Sequence, residues 1–174
     1  MSVLYTFPTG VLEKLWRHSS GDAAQGIQNL SYTAKTAKDQ ITRRFLGLKG
    51  QYAVDAALGE EFNWENHCDG GIDGVFEGFS YQVKTNTKYR RPYAFLTFWD
   101  LQPLRADVAV LVCLADRADQ VLITGVISQR RFYEKSERFS DFGCGRRIRS
   151  TELAPFTGTR MGETDTGFFD FVTD

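Results

Sequence analysis

Apolar and polar positions along this chain fall into blocks of different period. From Asn29 to Leu46 the apolar residues are Leu30, Ala34, Ala37, Ile41 and Phe45, the spacing of one helical face, with lysines and arginines on the other. Gly47 and Gly50 punctuate that pattern. A second helix is expected over Gln51 to Phe62, with Ala53, Val54, Ala57 and Leu58 apolar and Gly59 near its end. The period then shortens to that of strands. Ile72–Glu77 and Phe79–Lys84 read as a hairpin with a tight turn near Glu77-Gly78, and Ala94–Phe98 as a further strand. Val108–Leu114 (VAVLVCL) is an unbroken apolar run, as in a central strand covered on both faces. Gln120–Val126 follows, then Ser128 as the N-cap of a helix ending near Lys135, then a short strand at Arg146–Ser150. Residues 1–20 read as irregular apart from a short helix at Val11–Arg17. Helices first, then a hairpin-rich sheet, then a helix: this order predicts an α/β fold with a mixed central sheet flanked by helices.

Composition sets bounds on this picture. At 174 residues and 42% hydrophobic content the chain suits one well-buried domain, 1–174, with its core at about 46–126. The acidic, Phe-containing tail at about 157–174 is free to pack on the domain, reach a partner subunit or extend. The net charge of −1 hides an uneven spread. Lys35, Lys38, Arg43, Arg44 and Lys49 form one basic cluster, Lys84, Lys88, Arg90 and Arg91 a second, and Arg146, Arg147 and Arg149 a third. Basic clusters within a near-neutral total are compatible with nucleic-acid binding. Cys68, Cys113 and Cys144 are widely spaced, which argues against a disulfide framework or a zinc site. The His67-Cys68-Asp69 triplet is a weak metal candidate. With no signal pattern and no apolar run of membrane-spanning length, a soluble cytoplasmic protein without membrane partners is expected.

The chemistry concentrates in Gly70–Thr85, GGIDGVFEGFSYQVKT. Strand alternation puts Gln82 and Lys84 on one face and Tyr81 and Val83 on the other. A turn at Glu77-Gly78 brings Asp73 within cross-strand reach, so a carboxylate, an amide oxygen and an ammonium are expected to converge at the open side of the sheet. Carboxylate and carbonyl-type oxygens are hard ligands of the kind Mg²⁺ takes. A protonated lysine beside them can orient a water and offset charge on a phosphorane-like transition state.

With Asp73 in GGIDG, Gln82-Val83-Lys84 in the (D/E)-X-K slot and the helix GLKGQYAVDAALG before them, the chain resembles the PD-(D/E)XK nuclease superfamily over about Leu46 to Leu114. The resemblance implies a restriction-endonuclease-like core and a Mg²⁺-dependent endodeoxyribonuclease, with Mn²⁺ able to substitute. It implies that Asp73, Gln82 and the main-chain carbonyl of Val83 hold the metal, that Lys84 serves the attacking water, and that Gln51 stands where the family often has a helix glutamate. Gln82 and Gln51 are both amides where acids are usual, and Asp55, Glu60 or Glu61 could compensate for the missing charge. Lys88, Tyr89, Arg90 and Arg91, directly after the motif, together with Arg146, Arg147, Lys35 and Lys38, are the expected phosphate contacts. The expected substrate is double-stranded DNA, cut site-specifically as by homing or restriction enzymes, with a homodimer or tetramer the simplest way to cut both strands. A junction resolvase, an RNA-directed nuclease and a non-catalytic binding module that retains the fold are the alternatives.

Overall fold

The apolar run VAVLVCL forms β5 (Val108–Leu114), buried from Val108 through Cys113. Around it, in a computed structural model that describes residues 2–24, 36–65, 71–86, 94–140 and 143–156, lie two sheets and three helices. The strands β1 (Val3–Thr6), β2 (Gly74–Phe76), β3 (Phe79–Asn86) and β6 (Gln120–Ser128) join β5 in a five-stranded mixed sheet of order β1-β6-β5-β3-β2. In it β3 and β5 run parallel and every other pair antiparallel. A smaller sheet, of order β4-β8-β7, contains β4 (Phe95–Trp99), β7 (Glu137–Phe139) and β8 (Gly145–Arg149). Parallel neighbours need a crossover, and here the chain between β3 and β5 includes β4 of the second sheet.

Both faces of β5 are covered, but by different partners. Val108, Val110 and Val112 join a core with Leu15 of α1 (Val11–Ala24) and Leu48, Val54 and Leu58 of α2 (Ala37–Leu58). Ala109, Leu111 and Cys113 join a second core with Leu96, Phe98 and Ile148 of the small sheet and Phe132 of α3 (Gln129–Lys135). The sequence pattern located most of this frame. Ser128 caps α3, its hydroxyl accepting from Arg131 N–H as expected. At the β2–β3 turn Glu77 (φ 50°) and Gly78 (φ 86°) are both left-handed, the geometry of a two-residue type I′ hairpin.

Three expectations need correction. The helices expected on either side of Gly47 and Gly50 are one helix, α2, capped at its start by Thr36, whose hydroxyl accepts from Asp39 N–H. Gly50 does not break α2 but lets it approach β3, because a Cβ there would lie 2.0 Å from Thr85 Oγ1. The helix at Val11–Arg17 runs on to Ala24, and the supposedly irregular start contains β1, whose Val3 and Tyr5 face the core while Leu4 is exposed. The third correction is β7, too short and polar to read as a strand, which forms because β8 offers it an open edge. The expected helix start at Asn29 and the tail at 157–174 lie outside the described residues.

Replacing Gly50 tests the close approach. Although alanine favours helix by about 1 kcal/mol, Gly50→Ala is expected to destabilise the fold by about 1–3 kcal/mol through overpacking. Thr85→Ala in the same chain should recover much of the loss. Urea melts of the single and double variants check both statements.

Candidate functional site

The alternation in Tyr81-Gln82-Val83-Lys84 is realised. Tyr81 and Val83 pack into the α2-side core. Gln82 and Lys84 pair in register with Ala109 and Leu111, which belong to the other core, so they point the opposite way. Lys84 is half-buried with its Nζ 5.0 Å from the centroid of the Phe98 ring. Its neighbour Gln82 is only 6% exposed, so this face is not the open side of a sheet that the pattern suggested. Strand β4 and the rest of the second core lie against it.

Asp73 sits just before β2 and is bonded to its neighbours at three of its polar atoms. Its N–H donates to Tyr81 O at 2.9 Å, its Oδ2 accepts from Val83 N–H at 2.6 Å, and its main-chain oxygen accepts from Gln51 Nε2 at 3.0 Å. The carboxylate therefore extends the hairpin ladder one step beyond the end of β2. Because N–H and C=O of one strand residue point to the same edge, the Val83 carbonyl faces the side on which Asp73 lies. Gln51, buried on α2, is thus brought to Asp73, with its amide group bonded to the main chain and not to the carboxylate.

One helical turn beyond Gln51, Asp55 is buried and accepts a 2.6 Å hydrogen bond at Oδ1 from the Tyr81 hydroxyl. Burial raises the Asp55 carboxyl from the ordinary 3.8 to about 7; the Tyr81 hydrogen bond opposes the rise, and the charges of Asp73 and Glu60 add to it. The Tyr81 hydroxyl is likewise pushed up, first by burial and then by the Asp55 charge. Sequence reasoning named Asp55 only as a spare carboxylate. Its partnership with Tyr81 depends on α2 crossing the hairpin, which no local pattern encodes.

No family model matches the chain, and no curated protein or solved structure matches it either. The site is therefore weighed on its own atoms. Gln82 Oε1 is buried and has no hydrogen-bond partner among the described residues, an arrangement that costs about 1–3 kcal/mol for a desolvated polar group. Beside it lies Gly71, in a left-handed conformation (φ 99°) that favours glycine, where a Cβ would sit in tight contact with Gln82 Nε2 at 3.2 Å. An orphaned amide oxygen, one carboxylate and a main-chain carbonyl on the shared edge are all hard oxygen donors, and they fit Mg²⁺ in kind. In charge they are spare: among the described residues no group of three or more His, Cys, Asp or Glu is placed to hold a metal.

The expected nucleic-acid contacts have mixed fates. Lys38 is exposed in the first turn of α2. Arg146 donates to Tyr133 O, Ser136 O and Ser136 Oγ, tying β8 to the end of α3. Arg147 donates from Nε to Glu137 at 2.7 Å and lies against Phe95 and Phe139. Lys35, Lys88, Tyr89, Arg90 and Arg91, and the His67-Cys68-Asp69 triplet, lie outside the described residues. Lys49 has to be removed from the basic surface. It is buried, donates to Ala118 O at 2.8 Å, and burial lowers its ammonium below the ordinary lysine value.

The raised Asp55 carboxyl predicts a pH-dependent stability. A group whose folded pKa exceeds its unfolded one contributes stability fully below the unfolded value and loses it as pH rises through the folded value, here from about 4 to about 7. Asp55→Asn keeps an acceptor for Tyr81 without the charge. Relative to wild type, the variant should gain stability steadily between pH 4 and pH 8. Chemical melts across that range check this, and a stability difference independent of pH would contradict it.

Proposed function

We propose that the chain is a metal-dependent endodeoxyribonuclease with a restriction-endonuclease-like core. The observation that carries the proposal is Gln82 Oε1, a buried acceptor without a partner among the described residues, set on β3 one step from Val83 and two from Lys84. A strand that needed only to pack would be more stable with an apolar residue there.

In this reading Asp73, Gln82 and the Val83 carbonyl would hold Mg²⁺, or Mn²⁺ in its place, and the ion would supply Lewis acidity toward the scissile phosphate. Lys84, its ammonium over the Phe98 ring, orients the attacking water and offsets charge developing on the phosphate. Gln51 positions Asp73 by holding its carbonyl, and so fixes the hairpin against α2. Double-stranded DNA is the proposed substrate, cut at specific sites of the homing or restriction kind, with a symmetric dimer or tetramer serving both strands. Among the described residues no helix is long and apolar enough to cross a membrane.

A second reading, a nucleic-acid-binding module that keeps the fold without cutting, is favoured by one observation. Asp73, the single carboxylate of the motif, already spends Oδ2 on Val83 N–H.

Two measurements follow. In a plasmid-nicking assay with Mg²⁺ or Mn²⁺, Lys84→Ala and Asp73→Ala should each lower the rate by about 10²–10³-fold. A wild type that leaves plasmid, branched DNA and single strands intact would overturn the enzyme reading. Cleavage of branched DNA alone would make it a junction resolvase, and of RNA alone an RNA-directed enzyme. Second, Gln82→Glu adds the missing charge and should lower the Mg²⁺ concentration for half-maximal cleavage by about tenfold, as read from a metal titration.

A further inference from the structure

The small sheet turns one face inward and one outward. Leu96, Phe98 and Ile148 belong to the second core, so their strand neighbours Phe95, Thr97, Trp99, Arg147 and Arg149 face the other way. The register assembles this outward face in rows. Trp99 and Phe139 both pair with Gly145, and their rings meet above it at 5.1 Å and 74°. Gly145 has to be glycine for that contact, because a Cβ there would lie 2.9 Å from Phe139 Cζ. In the next row Thr97 and Glu137 flank Arg147, whose guanidinium lies 4.7 Å from the Phe95 ring and 5.5 Å from the Phe139 ring. The result is a continuous band of π surface, Phe95 to Arg147 to Phe139 to Trp99, with Trp99 37% exposed.

Charge and shape extend the band. A cavity of about 310 Å³ opens beside it, lined by Phe95, by Lys135, Arg147 and Arg149, and by the carboxylates Glu137 and Glu152, which leaves it net cationic. Lys135 and Arg149 are exposed and make no ion pair among the described residues, whereas Glu137 is bonded to Arg147 and Glu152 accepts from Arg149 N–H. The band also begins close to β3, since Phe95 O accepts from Asn86 Nδ2 at 3.2 Å, two residues beyond Lys84.

We infer that the outward face of the small sheet binds single-stranded nucleic acid, stacking bases on the band and placing phosphates on Arg149 and Lys135. An unpaired base offers a free π face to any aromatic ring, and cations beside the rings track the backbone. A duplex keeps its base faces stacked inside and presents only phosphates, so the aromatic band would go unused. An acidic peptide would use the cations and equally leave the band idle. The inference does not require that the chain cleaves anything.

The test is fluorescence anisotropy of a labelled thymidine oligomer of about twelve nucleotides, titrated with the full chain in EDTA so that cleavage plays no part. Wild type should bind the single strand saturably, with affinity falling as salt rises. Trp99→Ala and Arg149→Ala should each weaken single-strand binding by at least about fivefold. Circular dichroism checks that the variants are folded; if Trp99→Ala is not, Arg149→Ala, at an exposed position, carries the test alone. No saturable single-strand binding, or folded variants with unchanged single-strand affinity, would overturn the inference. A failure to cut DNA in the nicking assay would not touch it.

Discussion

Strand β5 has no solvent side, and that constraint organises the molecule. A strand buried on both faces needs two separate coverings, here the α1–α2 layer over Val108, Val110 and Val112, and the small sheet with α3 over Ala109, Leu111 and Cys113. It also needs partners along both edges to satisfy its backbone, which β6 and β3 supply. Strand β3 inherits the same two environments because it runs parallel to β5 and in register with it. Its Tyr81 and Val83 must then be compatible with the helical layer, and its Gln82 and Lys84 must lie against the second core.

The two sides solve their polar problem differently. On the helical side most polar groups are paired, Tyr81 to Asp55, Gln51 to the Asp73 carbonyl, and Val83 N–H to the Asp73 carboxylate, while Thr85 Oγ1, packed against Gly50, is buried without a partner among the described residues. These bonds lock α2 to the hairpin and hold Asp73 in place, at the cost of burying a carboxyl whose charge is poorly solvated. On the other side Gln82 keeps an acceptor with no partner among the described residues, and Lys84 rests its ammonium over a ring. Satisfied polar groups rigidify a fold, while an unsatisfied one is a local energetic debt that a ligand can relieve. The unpaired Gln82 oxygen beside Lys84 and Asp73 is the physical basis for reading this strand as a site.

Much of this was legible beforehand, and the reason is periodicity. VAVLVCL read as a doubly covered strand, and Ser128 read as a helix N-cap, and both form as such. The alternation that separates Gln82 and Lys84 from Tyr81 and Val83 is local geometry, and the turn at Glu77-Gly78 followed from two residues. Where local pattern and tertiary demand conflicted, the local reading failed. Gly50 looked like a helix stop because glycine usually is one, yet it marks the place where α2 touches Thr85. Lys49 looked like surface because lysine usually is, yet it is buried and bonded to Ala118 O. The strand β7 carries no apolar alternation and exists only because β8 has a free edge.

The sequence by itself determined which residues of the motif share a face, where the central strand lies and where the hairpin turns, because those depend on neighbours a few positions apart. Only the tertiary structure decided that Gln82 is buried with its oxygen unpaired, that Asp73 is bonded through both its backbone and its carboxylate, and that Asp55 meets Tyr81. It alone also brought Trp99, Phe139 and Arg147 into one band across three strands. Most of those contacts join elements that only the fold brings together. Burial and hydrogen-bond satisfaction are properties of what the fold places around an atom, and the order of residues along the strand does not contain them.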